Sequence, residues 1–425
     1  MDDPSAKTDA PARPAADAAA RRARIAVSAL FLTNGALFAN ILPRYPEIKT
    51  MLGLDNTTYG LSIAALPAGA LLAGLAAAVL IRRLGSARVA VFGTALTSIG
   101  YLLAGLSPSA LLFAGALFLT GVFDAITDVA QNAHGLRVQR RFGRSIINSF
   151  HAIWSIGAVL GGAMAAAAIA IGLPVGIHLA ISTAVFAAVA LCALRFCLPG
   201  LDEEEADAVA EAPGAGAAPR RGPSLRTILM LAALTLIAMA GAVGEDAGNS
   251  WATLYLADSL DAAAPIAPLG FIALMVAQTI GRLMGDRLTD RFGQRLVAGA
   301  GGLIAAAGMG LALAFPSILG TILGFAALGF GIATLIPAAM HAADELPGLR
   351  RGVGLTVLAW LLRVGFLLSP PFVGYIADQE SLRAGLLVAP AAGIVAVVFC
   401  FALEKRRAAR VDPHAEALDI PPSSR

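Results

Sequence analysis

The sequence predicts an all-α integral membrane protein, with twelve transmembrane helices in two six-helix bundles. Three observations lead there. The first is composition: of 425 residues 58% are apolar and only 14% charged, with a mean hydropathy of +0.76. Soluble domains carry about 25% charged residues, and a single soluble core stops growing near ~250–300 residues. The second is charge-free length. Residues 145–194 contain no Asp, Glu, Lys or Arg in 50 positions, and residues 296–343 contain none in 48. A single helix of that length would run ~75 Å, more than twice the hydrocarbon thickness, so each stretch is two membrane helices joined by a turn. The third is a weak internal repeat at an offset of 208 residues, which divides the apolar region into like halves.

Taken in order, the first half holds segments at about 25–43, 57–81, 89–106, 110–133, 145–171 and 174–194. Asn56-Thr57-Thr58, a formal glycosylation sequon, reads as the cap that starts the second. Gly172-Leu173-Pro174 is the turn between the fifth and sixth. The second half holds about 226–250, 265–286, 296–315, 317–341, 352–376 and 384–403, with Phe315-Pro316-Ser317 as the turn inside its charge-free stretch. The segments are rich in Ala, Leu and Gly and lack the period-two pattern of barrel strands. Gly241, Gly244 and Gly248 beside acids and amides suggest a loosened end to the seventh, where Trp251 and Tyr255 are expected as interface anchors.

Between the segments, Lys and Arg are asymmetric. The two tails and the loops after even-numbered segments hold 26 of the 31, the other face holds three, and Arg282 and Arg363 lie within segments. The positive-inside rule puts both termini in the cytoplasm of an inner-membrane protein. The expected organisation is a disordered N-tail over 1–24, bundles over 25–195 and 226–403, a flexible acidic linker over 196–225 and a polar C-tail over 404–425. The net charge of +3 gives no reason to expect nucleic acid. Cys192, Cys197 and Cys400 indicate neither disulfide nor metal, and no phosphate-cradling loop points to ATP.

In the repeat, Arg83-Leu84-Gly85 aligns with Arg291-Phe292-Gly293, and Val89, Ala90 and Gly93 align with Val297, Ala298 and Gly301. The stretch Gly285–Arg295 resembles the signature loop of the major facilitator superfamily, with its Asp-Arg-x-Gly core at Asp290, Arg291 and Gly293. The first-half copy is degenerate, since Arg82 stands where the Asp belongs. Leu42-Pro43-Arg44, Asp128–Ala133, Ser149-Phe150-His151 and Glu245 with Trp251–Leu256 are similar to a bacterial inner-membrane branch of the YbjJ type, distant neighbours of fucose:proton symporters. The resemblance implies a monomeric secondary transporter, needing no cofactor, that moves a small solute with protons by alternating access. In that reading Asp290, Arg291, Gly293, Arg83 and Gly85 form the gating loops. The runner-up readings are an efflux antiporter with a more aromatic cavity, and a non-transporting sensor or lipid-handling protein.

Ionisable residues inside a bilayer are costly and need a partner or a wet cavity. Asp124, Thr127, Asp128, Gln131 and Asn132 recur at helical spacing as one polar stripe. Carboxylates at i, i+4 repel when both are ionised, which suits Asp124 or Asp128 to carrying a proton. Asp128 and Asn132 serve equally in a gate network with backbone, Arg141 or Arg144. His151 lies level with Asp128 and is expected to meet it or a loop carbonyl. Glu245 either faces a cavity or is solvated at the outer surface. Arg363, near the bilayer midplane, must meet a carboxylate on another helix, with Asp124 and Glu245 the candidates, or an anionic substrate. Gln278, Arg282 and Asp286 lie at i, i+4, i+8, which allows Arg282 to pair with Asp286. Asn34 is expected to line the cavity by resemblance, and His178 and His341 to be structural.

Overall fold

A computed structural model describes residues 18–143, 145–201, 224–349 and 352–403. The tail beyond Leu403, the tail before Ala18 and most of the linker lie outside the described residues, as do Arg144, Arg350 and Arg351. Among the described residues every regular element is helical. The first half contains α1 (Ala18–Ile41), continued by a 3-10 turn into α2 (Tyr45–Met51), then α3 (Asn56–Leu84), α4 (Ser86–Gly105), α5 (Ala110–Phe142), α6 (Ile147–Ala170) and α7 (Val175–Leu194). The second contains α8 (Leu225–Leu254), α9 (Leu269–Phe292), α10 (Gln294–Ala314), α11 (Ile318–Ile332), α12 (Leu335–Asp344), α13 (Val353–Gln379), α14 (Leu382–Gly385) and α15 (Val388–Phe399). With α1–α2, α11–α12 and α14–α15 each read as one span, these make twelve. Among the described residues, ten spans are long and apolar enough to cross a membrane by themselves, and α3, bent between Ala73 and Ala76, is the eleventh. The remaining span, α9, carries Arg282, Asp286, Arg287, Asp290 and Arg291 in its second half.

The packing repeats with the sequence. In the first half α1 packs on α6, α5 on α3 and α4, and α7 on α4. In the second α8 packs on α13, α11 on α9 and α10, and α15 on α10. Gly85 and Gly293, 208 positions apart, show why the repeat survives there. Both end a helix with φ near +82° and ψ near +150°, backbone that L side chains rarely adopt, and the next helix starts at once. The halves meet where α3 packs on α13 and α6 on α9.

Several local expectations are corrected. Ala18–Arg24 is helical, because Ala and Arg are strong helix formers and extend α1. The cap of α3 is Asp55, which accepts from the Thr58 amide at 2.6 Å, one residue before the Asn56 expected there. The glycine-rich end of α8 is unbroken helix to Leu254, and the irregular π turn follows at Tyr255–Ser259. Its glycines admit neighbours instead: Gly244 faces Ile332 and Leu328, and Gly248 faces Leu274. Trp251 and Tyr255 are buried, at 0% and 1% exposure, and anchor no interface.

One end of the molecule, called here the basic face, holds the ends of α3, α5, α7 and α9 with the basic loops. The halves are joined at the opposite face. Asp378 of α13 accepts hydrogen bonds from the Asn56 amide (3.0 Å), Asn56 Nδ2 (2.9 Å), the Thr57 amide (2.7 Å) and Thr57 Oγ1 (2.6 Å). Tyr59 donates to the Ser250 carbonyl at 2.7 Å and stands edge-on to Trp251. Lys49 lies 3.9 Å from Asp258. Toward the basic face, Asp128, His151, Arg282 and Arg363 are exposed.

Candidate functional site

A cavity of about 360 Å³ lies between the halves, closed by the joined face and reaching toward the basic one. Its walls come from α1 (Asn34, Phe38), α3 (Ile63, Leu66, Pro67), α5 (Asp124, Asp128), α6 (Trp154), α8 (Glu245, Asp246, Asn249, Ser250) and α13 (Arg363, Phe366, Pro370). Pro67, Pro370 and Pro371 lie inside their helices, where each removes a backbone donor.

On the first-half wall, Trp154 Nε1 donates to Asn34 Oδ1 at 2.7 Å, and Asn34 Nδ2 donates to Asp124 Oδ1 at 2.9 Å. One amide thus locks three helices and leaves Asp124 Oδ2 for another partner. The polar stripe of α5 divides in two, because five residues spread over more arc than one cavity wall covers. Thr127 and Gln131 turn inward, with Gln131 Nε2 donating to the Leu30 carbonyl and Thr94 Oγ1, both at 3.3 Å. Asp124 and Asp128 keep the cavity. Asn132 Nδ2 reaches back to Asp128 Oδ1 at 3.0 Å, while its Oδ1 lies 3.1 Å from His151 Nε2. His151 therefore meets Asp128 through Asn132, not directly.

On the second-half wall, Glu245 is neither solvated nor paired with Arg363. Gln278 Nε2 donates to its Oε2 at 2.8 Å, and Arg282 lies 3.3 Å from the same oxygen. The expected Arg282–Asp286 pair is thereby corrected: α9 turns Arg282 toward α8, where a half-buried carboxylate is the stronger partner. Arg363, among the described residues, makes no hydrogen bond or ion pair. It is exposed to the cavity, and the carboxylate within its electrostatic reach is Asp128. Neither Asp124 nor Glu245, the carboxylates expected for it, pairs with Arg363, and its guanidinium faces the cavity.

Three cavity residues were not anticipated. Trp154 sits at i+3 from His151 and carried no charge to draw attention. Asp246 and Ser250 bond to each other at 2.9 Å, and their i, i+4 spacing was legible in the sequence. The gating-loop residues lie away from the cavity. Asp290 and Arg83 are exposed, Arg291 stacks on the Phe292 ring, and Gly85 and Gly293 are the paired stops described above. His178 accepts from Arg44 Nε at 3.2 Å, and His341 lies 3.9 Å from Glu345.

The sequence profile of the Major Facilitator Superfamily matches residues 27–244 and 234–424, which together span the membrane region. The chain belongs to that superfamily. It is a multi-pass membrane transporter of small solutes, and its paired bundles are the superfamily fold. Membrane protein MosC of Rhizobium meliloti is 27% identical over 91% of this chain and 92% of its own length. The uncharacterized transporter y4wD of Sinorhizobium fredii is 29% identical over 88% and 96%. Among solved structures, a D-xylose-proton symporter superposes with a TM-score of 0.70 at 16% identity, covering 91% of this chain and 98% of that one, which speaks for the fold alone. Within that fold, the cavity offers this transporter four carboxylates, one unpaired guanidinium and an indole face.

Proposed function

We propose that the chain is a proton-coupled secondary transporter of the inner membrane that takes up a small polar solute by alternating access. The observation carrying this reading is that Asn34, Asp124, Trp154, Glu245 and Arg363 line one cavity between the two halves. The count of 26 basic residues on one face favours a cytoplasmic basic face, so the cavity is read as inward-open with its outer end latched. The Trp154 indole is the platform for an apolar solute face, Asp124 accepts its hydroxyls, and the Arg363 fork donates to its oxygens. Asp124 or Asp128 carries the proton. Four carboxylates against one free guanidinium favour an uncharged polyol such as a sugar over an organic acid, in keeping with the resemblance to the YbjJ-like branch. Asp290, exposed here, latches the cytoplasmic side in the outward-open state, and the chain works as a monomer. Efflux of a drug-like solute is the second reading, favoured by the aromatic walls Phe38, Tyr45, Trp154 and Phe366.

A thermal-shift screen of the purified protein against sugars, polyols, organic acids and hydrophobic drugs separates these readings. A sugar or polyol is expected to raise the melting temperature in wild type and not in Arg363→Ala. Stabilisation by hydrophobic drugs alone sinks the uptake reading, and an unchanged response in Arg363→Ala removes its role.

A further inference from the structure

At the closed end of the cavity sits a polar cluster that the coupling scheme above does not use. Asp246 of α8 is 8% exposed, and its Oδ1 accepts from Ser250 Oγ at 2.9 Å. Its Oδ2 is buried with no partner. Ser369 of α13 is the second hydroxyl that faces the Asp246 carboxylate, and Asn249 Oδ1, one turn on, is buried without a partner. A buried polar atom left unpaired costs about 1–3 kcal/mol, and among the described residues no cation pairs with Asp246. Asp246 Oδ2 and Asn249 Oδ1 are both acceptors, and the Ser369 hydroxyl has one hydrogen for the two of them.

We infer that Asp246 is a second proton-binding site, on the floor of the cavity, whose occupancy holds the outer face closed. The inference rests on the proton-coupled reading and adds a residue and a role to it. A proton taken from cavity water onto Oδ2 makes an O–H that donates to Ser369 Oγ or Asn249 Oδ1. One proton then gives the cluster a second hydrogen for its two acceptors and ties α8 to α13. No bond between heavy atoms changes, and the proton leaves to water by the same route. The floor lies directly against the closure, since Ser250 also receives the Tyr59 hydroxyl from α3. Without the proton, a carboxylate facing two neutral hydroxyls and no cation would be sealed beneath Tyr59 and Trp251, and the floor must open to hydrate it.

The other titratable groups facing this site are few. Glu245 precedes it on α8 and is held by Gln278 and Arg282 of α9. Tyr45 and Tyr59 face it from α2 and α3, Asp258 lies beyond at the outer end, and Arg363 of α13 shares the cavity. The residues of α11 and α15 include no ionisable side chain, and those of α12 (His341, Asp344) lie at the basic end.

The test uses the full chain in nanodiscs, with native cysteines replaced and spin labels at Met51→Cys and Glu380→Cys on the outer ends of α2 and α13. Distances are measured from acid to alkaline pH with no solute present. In wild type the long-distance population is expected to grow with pH, by up to ~tenfold per unit as one group titrates. Asp246→Asn, which always has a hydrogen to donate, is expected to keep the short distance at every pH. Asp246→Ser, which melts as a second check on folding, is expected to lose the pH response as well. A wild-type pH response preserved in Asp246→Asn overturns the site while leaving proton coupling standing. A wild-type distance indifferent to pH overturns the site too, and coupling is then judged separately by gradient-driven flux.

Discussion

The chemistry of the cavity is set by single donors and acceptors. Asn34 spends its amide between Trp154 and Asp124, so removing the indole donor strands a buried carbonyl oxygen. Trp154→Phe is expected to cost about 1 kcal/mol of stability and to weaken solute binding, both read from melting curves with and without the stabilising solute. Equal solute shifts in mutant and wild type would remove Trp154 from the site. The sequence exposed Asn34, Asp124 and Arg363 as polar residues at membrane depth, which is rare enough to notice. It hid the partners. Arg282 and Glu245 are 37 positions apart, and spacing along one helix sees only i+3 and i+4 neighbours, which is why Asp286 was the expected mate. Asp246 was hidden differently: beside Glu245 it looked like more of the same, although adjacent helical residues point about 100° apart.

Elements carry the gates. Helical lengths and turns followed from apolar runs and from Gly and Pro, so most segment ends lie within a few residues of expectation. What spacing could not show was contact between distant elements. Asp378 closes α13, yet its carboxylate caps the start of α3 through two backbone amides and two side chains. Loss of a helix cap costs about 0.5–2 kcal/mol. Asp378→Ala is therefore expected to shift the balance toward the outward-open state, by ~5–30-fold if the cost is 1–2 kcal/mol. A cysteine at Ile63, 5% exposed on the cavity wall, reports this through its labelling rate by an impermeant maleimide from outside. A rate unchanged by Asp378→Ala would mean that the α3–α13 cap does not hold the gate.

At the scale of the molecule, the repeat explains why two bundles can rock about one site. The main helix pairings of the first half recur in the second, and the halves meet through α3–α13 and α6–α9, which exchange under the same pseudo-symmetry. An inverse structure, joined at the basic face, requires only that these two contacts slide while the bundles stay intact. In the proposed alternating access, Asp290 and Arg83, exposed here, are the residues expected at that contact. The fold was legible because membrane helices announce themselves by composition. The solute was not, because its specificity rests on a few hydrogen bonds between helices far apart in sequence. The most direct measurement is flux of the stabilising solute in proteoliposomes of known orientation, with and without an imposed pH gradient. A gradient acid on the outer side is expected to drive accumulation above equilibrium, and Asp124→Asn and Arg363→Ala are expected to abolish it. Equal flux to the same endpoint with and without the gradient would contradict proton-coupled uptake.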